Sequence, residues 1–190
     1  IADSASLDVT STITMGFWIN PTNVSQTAFI LAKGTDANPV YAVYIEGTAV
    51  AIQFSGMGGT YQKSAAILTT GWQHITVSWD GTIVKFYRNG ELAGYQNGYT
   101  GAISGTLNTT STSLYVGKRA SSYYFLGSLD EARIYNRALS ASEVSQLYNF
   151  APGPVASYNF DENTGSTVND RSGNANTGTW NGSGSPHWKP

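Results

Sequence analysis

The stretch "NDRSGNAN", residues 169–176, sets Asp170, Ser172, Asn174 and Asn176 at alternate positions. Side-chain oxygens repeated in this way suit a hard cation such as Ca²⁺, with loop carbonyls completing about six to eight ligands. The competing reading is a metal-free loop, because Asn, Asp and Gly are ordinary Asx-turn formers. Asp130 or Glu131 in "LDEARIY" is a further carboxylate, and an ion pair with Arg133 or Arg137 is the alternative for either.

A second group of residues points to ligand binding. Aromatic rings stack on the apolar faces of sugar rings, and neighbouring amides or hydroxyls fix the sugar hydroxyls. Loops offer such sets in "GMGGTYQ" (Tyr61, Gln62), "GYQNGYTG" (Tyr95, Asn97, Tyr99) and "ASSYYF" (Tyr123, Tyr124). With 13% aromatic residues, some tyrosines must lie at the surface whether or not they bind anything.

Catalysis finds no comparable set. Glycoside hydrolysis needs two carboxylates facing one another across a cleft. The acids of "LDEARIY" are adjacent, which sends them to opposite faces of a strand. There is no cysteine, and neither of the two histidines lies in a nucleophile motif. The loop "GMGG" at 56–59 lacks the strand–helix context of a phosphate cradle. The chain is therefore expected not to be an enzyme.

Alternating patterns describe the elements that carry these groups. Ile13, Met15, Phe17 and Ile19 share one face of a strand, as do Val50, Ile52 and Phe54. In "QHITVSWDGTIVKFYRNGELAGY", residues 73–95, Asp80-Gly81 and Asn89-Gly90 separate three β runs. Both dipeptides suit type I′ turns, so an antiparallel meander is predicted there. Roughly ten to twelve short strands imply an all-β, two-sheet antiparallel jelly-roll sandwich. One short helix is predicted near 140–149, with Ser140 and Glu143 as a capping box and Val144, Leu147 and Tyr148 on its apolar face.

Composition narrows the partners. The 190 residues suffice for one core, and only 12% are charged, against about a quarter in ordinary domains. Net charge is −2 with ten Lys and Arg, so neither nucleic acid nor an anionic membrane surface is an expected partner. No apolar run reaches the roughly 18 residues of a membrane span. The Cys-free, Asn/Gly/Thr-rich composition places the chain outside the cell or on the cell surface.

The segment "LGSLDEARIYNRALSASEVSQLYN", residues 126–149, resembles the closing part of bacterial laminin-G-like domains, which share the concanavalin A-like jelly roll. "WQHITVSWDGTIVKFYRNGELAG" is similar to the middle of that family and "ADSASLDVTSTITMGFWINPT" to its early strands. "VASYNFDENTGSTVNDRSGNANTGTW" resembles the way such a domain begins, yet it stands last. The resemblance thus implies a chain that is permuted, cut from a tandem array, or completed by a strand from a neighbouring molecule. It also implies a structural Ca²⁺ near the Ser-Gly-Asn turn, although the family's Phe-Asp-Gly turn has no counterpart here.

The resulting organisation has a main body at 1–150, a linker at 151–154 ("APGP") and a segment at 155–190 that folds back onto the body. In the family the first and last strands lie side by side, so "VASYNF" is expected to pair with "GSLDEARIYN". The function expected is a non-catalytic adhesion or carbohydrate-binding module of a larger exported protein, with a glycan or an extracellular protein as partner. The alternative is a structural repeat or filament subunit that binds neighbouring copies of itself. A third possibility is a substrate-targeting appendage on a hydrolase.

Overall fold

The computed structural model describes residues 1–35, 38–55, 57, 61–120, 122–149, 165–169 and 177–179. The chain divides into two compact units, Ile1–Tyr148 and Asn149–Pro190. The first is the expected sandwich. Its strands are β1 (Ile13–Pro21), β2 (Thr27–Gly34), β3 (Pro39–Glu46), β4 (Ala49–Phe54), β5 (Tyr61–Ala66), β6 (Gln73–Trp79), β7 (Val84–Arg88), β8 (Glu91–Leu92), β9 (Leu114–Val116) and β10 (Gly127–Tyr135). They form two five-stranded antiparallel sheets, ordered β10-β1-β6-β7-β8 and β5-β4-β3-β2-β9. In the second unit, β11 (Thr167–Val168) pairs antiparallel with β12 (Gly178–Thr179).

The core follows from alternation. Ile13, Met15, Phe17 and Ile19 of β1 are fully buried, and so are Val50, Ile52 and Phe54 of β4. Both sets point between the sheets, where Phe54 meets Trp79 at 4.8 Å between ring centroids. The Trp79 indole N–H donates to Ile103 O at 2.8 Å, which satisfies the one polar atom of a buried ring. Lys33 is also fully buried and holds the N-terminal segment. Its ammonium binds the Asp3 carboxylate, lies 3.5 Å from Asp8 and donates to the carbonyls of Thr110 and Thr112 at 3.2 and 3.1 Å.

The predicted meander is β6–β7–β8. Asn89 and Gly90 both have positive φ, 50° and 80°, as a type I′ turn requires. The Asp80-Gly81 turn differs from the expectation, because only Gly81 has positive φ. Asp80 instead folds its carboxylate back to accept the N–H groups of Thr82 and Ile83, at 2.9 and 2.7 Å. A short acidic side chain can replace the backbone pattern of the turn in this way.

Helix α1 (Ala141–Asn149) carries the predicted cap. Glu143 accepts the Ser140 N–H at 2.9 Å, and Ser140 Oγ accepts the Glu143 N–H at 3.3 Å. The Ser140 bonds and the Arg137 guanidinium hold the Glu143 carboxyl down to about 2. Val144 is fully buried against Tyr87 and Leu139, with Leu147 alongside. A Cβ on Gly16 would come within 3.2 Å of Leu147, so glycine lets the helix approach β1 closely.

Candidate functional site

The outer face of the β5-β4-β3-β2-β9 sheet is built on period-two alternation. On β3, Tyr41, Val43 and Ile45 point into the core, which leaves Ala42, Tyr44 and Glu46 on the other side. Register then assembles two rows across the sheet. One runs Tyr115, Ala32, Ala42, Gln53, Tyr61, and the next runs Phe29, Tyr44, Ala51, Lys63. Three alanines thus form a floor between larger aromatic side chains, and the small residues allow rings to lie against the sheet.

The rings form a connected belt. Phe29 and Tyr44 stack at 4.6 Å with an interplanar angle of 14°. Tyr123 meets Phe29 at 5.8 Å, Tyr61 meets Tyr44 at 6.1 Å, and Tyr99 meets Tyr61 edge-on at 5.2 Å. Cations flank one end. The Arg119 guanidinium lies 5.0 Å from the centre of Phe29, and the Lys118 ammonium lies 5.3 and 5.7 Å from Tyr115 and Tyr124.

Polar groups sit among the rings. Glu46 accepts the Tyr61 hydroxyl at 2.5 Å and the Lys63 ammonium at 3.0 Å. The Tyr61 bond, supported by Lys63, holds the Glu46 carboxyl below its ordinary range. Burial raises Tyr44 to about 12, and burial together with the Glu46 bond raises Tyr61 further. Tyr44 and Tyr61 are therefore neutral phenols at neutral pH, beside an ionised Glu46. Among the described residues, Glu46 is the one carboxylate within this set.

The tyrosines and their partners singled out in the loops separate in the structure. Tyr61, Tyr99 and Tyr123 come together on the belt. Tyr123 is half-exposed and Tyr124 more so, and they follow directly on the mutual Arg119–Ser122 backbone bonds. Tyr123 also has a positive φ of 54°, uncommon for a bulky residue. Asn97 is exposed at a turn closed by the Tyr99 N–H donating to Gln96 O. Gln62 and Tyr95 occupy scaffold positions. Gln62 is buried and bridges the backbone of Gly101 and Ala102, and the Tyr95 hydroxyl donates to Val84 O. Phe29 and Tyr44 were not among the candidates, although the three-residue spacing of Tyr41 and Tyr44 already put them on opposite faces.

Of the metal candidates, Asp170, Ser172, Asn174 and Asn176 lie outside the described residues, as does the "VASYNF" pairing. Asp130 is exposed and its carboxylate accepts the Glu131 N–H at 2.7 Å. Glu131 pairs with Arg133 at 3.0 Å. No group of three or more His, Cys, Asp or Glu able to hold a metal occurs among the described residues.

A family model described as the concanavalin A-like lectin/glucanases superfamily (Laminin_G_3) matches residues 1–145. A search of curated proteins returned no match. Solved structures share the fold at low identity. A protein from Bacteroides ovatus, provisionally named a carbohydrate-binding protein, is 17% identical with a TM-score of 0.59; 96% of this chain is covered and 57% of that chain. The present chain thus spans little more than half of that protein's length. Domain 4 of AbnA, an extracellular arabinanase of Geobacillus stearothermophilus in complex with arabinotriose, is 22% identical with a TM-score of 0.54, covering 75% of this chain and 69% of that one. The CBM40 module of a Ruminococcus gnavus sialidase, bound to α2,3-sialyllactose, is 20% identical with a TM-score of 0.53, covering 76% and 86%.

Proposed function

The chain belongs to the concanavalin A-like lectin/glucanase superfamily, and from that premise we propose that it is a non-catalytic carbohydrate-binding module. The glycan is taken on the outer face of β5-β4-β3-β2-β9. The observation that carries this reading is the belt of Tyr99, Tyr61, Tyr44, Phe29 and Tyr123 beside a floor of alanines. Rings on such a floor stack on sugar faces, while Glu46, Lys63 and Gln53 accept and donate to hydroxyls. The modules from arabinanase and sialidase, each solved with a bound oligosaccharide, support the reading by analogy of fold.

Placement outside the cell belongs to the same proposal. Among the described residues no helix is long and apolar enough to cross a membrane. The structural Ca²⁺ at Asp170, Ser172, Asn174 and Asn176 also remains a proposal, supported by the alternating oxygens in the sequence. Asp130 adds no geometric support to it. If the ion is structural, EDTA lowers the melting temperature; an unchanged transition removes the ion from the account.

A glycan array followed by calorimetry tests the main reading. Binding to an oligosaccharide that is lost in Tyr61→Ala and Tyr123→Ala supports it. Binding that both variants leave intact, or none to any glycan, counts against it.

A further inference from the structure

The charges on the aromatic face do not all have partners. Glu46 is matched on both oxygens, by the Lys63 ammonium at 3.0 Å and by the Tyr61 hydroxyl. Lys118 differs: among the described residues, no carboxylate lies within ion-pair distance of it. Its ammonium lies instead beside two rings, 5.3 Å from the centre of Tyr115 and 5.7 Å from that of Tyr124. Ring faces attract a cation without neutralising it, and an ammonium has three N–H donors to place.

Its position makes this charge part of the face. Tyr115 pairs with Ala32, in the row that continues through Ala42, Gln53 and Tyr61. Lys118 therefore stands at the β9 end of the alanine floor. Tyr124 is 60% exposed and follows Tyr123, whose ring meets Phe29 at 5.8 Å. Backbone bonds tie this segment to the sheet. The Phe29 N–H donates to Tyr123 O at 3.0 Å, and the Phe125 N–H donates to Gly117 O at 2.8 Å. The second bond brackets the stretch from Lys118 to Tyr124 and brings its two ends together. Half-buried against aromatic carbon, the ammonium meets an incoming anion in a lower effective dielectric than bulk water.

Resting on the reading of this face as a glycan site, we propose that its ligand is an acidic glycan whose sugar carboxylate pairs with Lys118. One sugar supplies both halves of the match. Its apolar ring face stacks on an exposed tyrosine, and a carboxylate at the ring edge accepts from the ammonium. Uronic acids and sialic acids share this chemistry.

Calorimetry on the full chain tests it, with each acid compared with its own methyl ester. Oligogalacturonate represents the uronic acids and sialyllactose the sialic acids; the ester keeps the ring and removes the charge. The expected result is that one acid binds about tenfold or more tighter than its ester, by a margin that shrinks as salt is raised. The acid that does so identifies the source of the carboxylate. Lys118→Gln lowers that acid to the level of its ester with the melting temperature unchanged, and Lys118→Arg keeps the margin. Lys85→Gln also keeps it, because that residue is exposed on β7 in the other sheet and removes the same unit of net charge. Equal affinity for acid and ester in both pairs, or a margin that survives Lys118→Gln, overturns the acidic ligand. So does a margin that Lys85→Gln abolishes equally, which assigns it to net charge. In each of these cases Tyr61-dependent binding of an ester or a neutral glycan still upholds the glycan site, whereas no binding to any glycan overturns both.

Discussion

The two outer faces of the sandwich both carry aromatic side chains, and they use them differently. On β10-β1-β6-β7-β8, Trp18, His74 and Tyr87 lie beneath α1, together with Tyr148, Val144 and Leu147 of the helix. On β5-β4-β3-β2-β9, Phe29 and Tyr44 lie beneath other aromatic rings, and the outermost, Tyr123, is half-exposed. The titratable groups follow their surroundings. Burial, with Arg133 nearby, lowers His74 to about 4, so it is neutral under the helix. The Tyr61 bond keeps Glu46 ionised on the open face. Residue type does not separate scaffold from site here; what covers the ring does.

The largest way to break this contrast is Val144→Asp. It buries a carboxylate at the fully buried centre of the helix contact, and the expected loss is about 3 kcal/mol or more, measured by denaturant unfolding. Glycan affinity of the folded fraction stays unchanged, because the helix covers the other face.

His74 gives the next effect. Its folded pKa lies below the unfolded value near 6.5, so the unfolded chain binds the extra proton first. This contribution to stability is complete above about pH 6.5 and is lost as pH falls from there through about 4, by roughly 3 kcal/mol in total. Unfolding measured across that window, with His74→Gln as the reference, isolates it; an equal slope in the variant removes His74 as the cause. NMR titration of the ring checks the low pKa directly.

The open face answers in affinity first. Tyr123→Ala and Tyr61→Ala each weaken glycan binding about tenfold, roughly 1.4 kcal/mol, with a smaller change in stability. Tyr61→Phe is milder, about 1 kcal/mol or less, because only the hydroxyl bond to Glu46 is removed. The Glu46 carboxyl then titrates closer to its ordinary value, which NMR can follow.

Much of this fold was legible because local rules and packing agree. The β6–β7–β8 meander, the Ser140–Glu143 cap and the inward faces of β1 and β4 all follow from short-range pattern. The binding face was legible only in part. β3 is apolar on both sides, so its composition alone does not mark Tyr44 as outward; pairing with β2 and β4 settles which residues share its row. Gln62 and Tyr95 sit in loop-like, polar sequence yet turn inward, because the Gly101–Ala102 backbone and the Val84 carbonyl need buried partners. The Asp80 turn was mistaken for type I′ because a dipeptide does not report the carboxylate that closes the turn.

The central claim is that a glycan sits on the aromatic belt. Backbone amide shifts recorded while titrating the array's best oligosaccharide test it most directly. Shifts concentrated at Phe29, Tyr44, Tyr61, Tyr99 and Tyr123 are expected, with α1 and the residues beneath it still. Shifts that gather around Trp18, His74 and Tyr148 instead, or that leave the belt untouched while binding occurs, would contradict it.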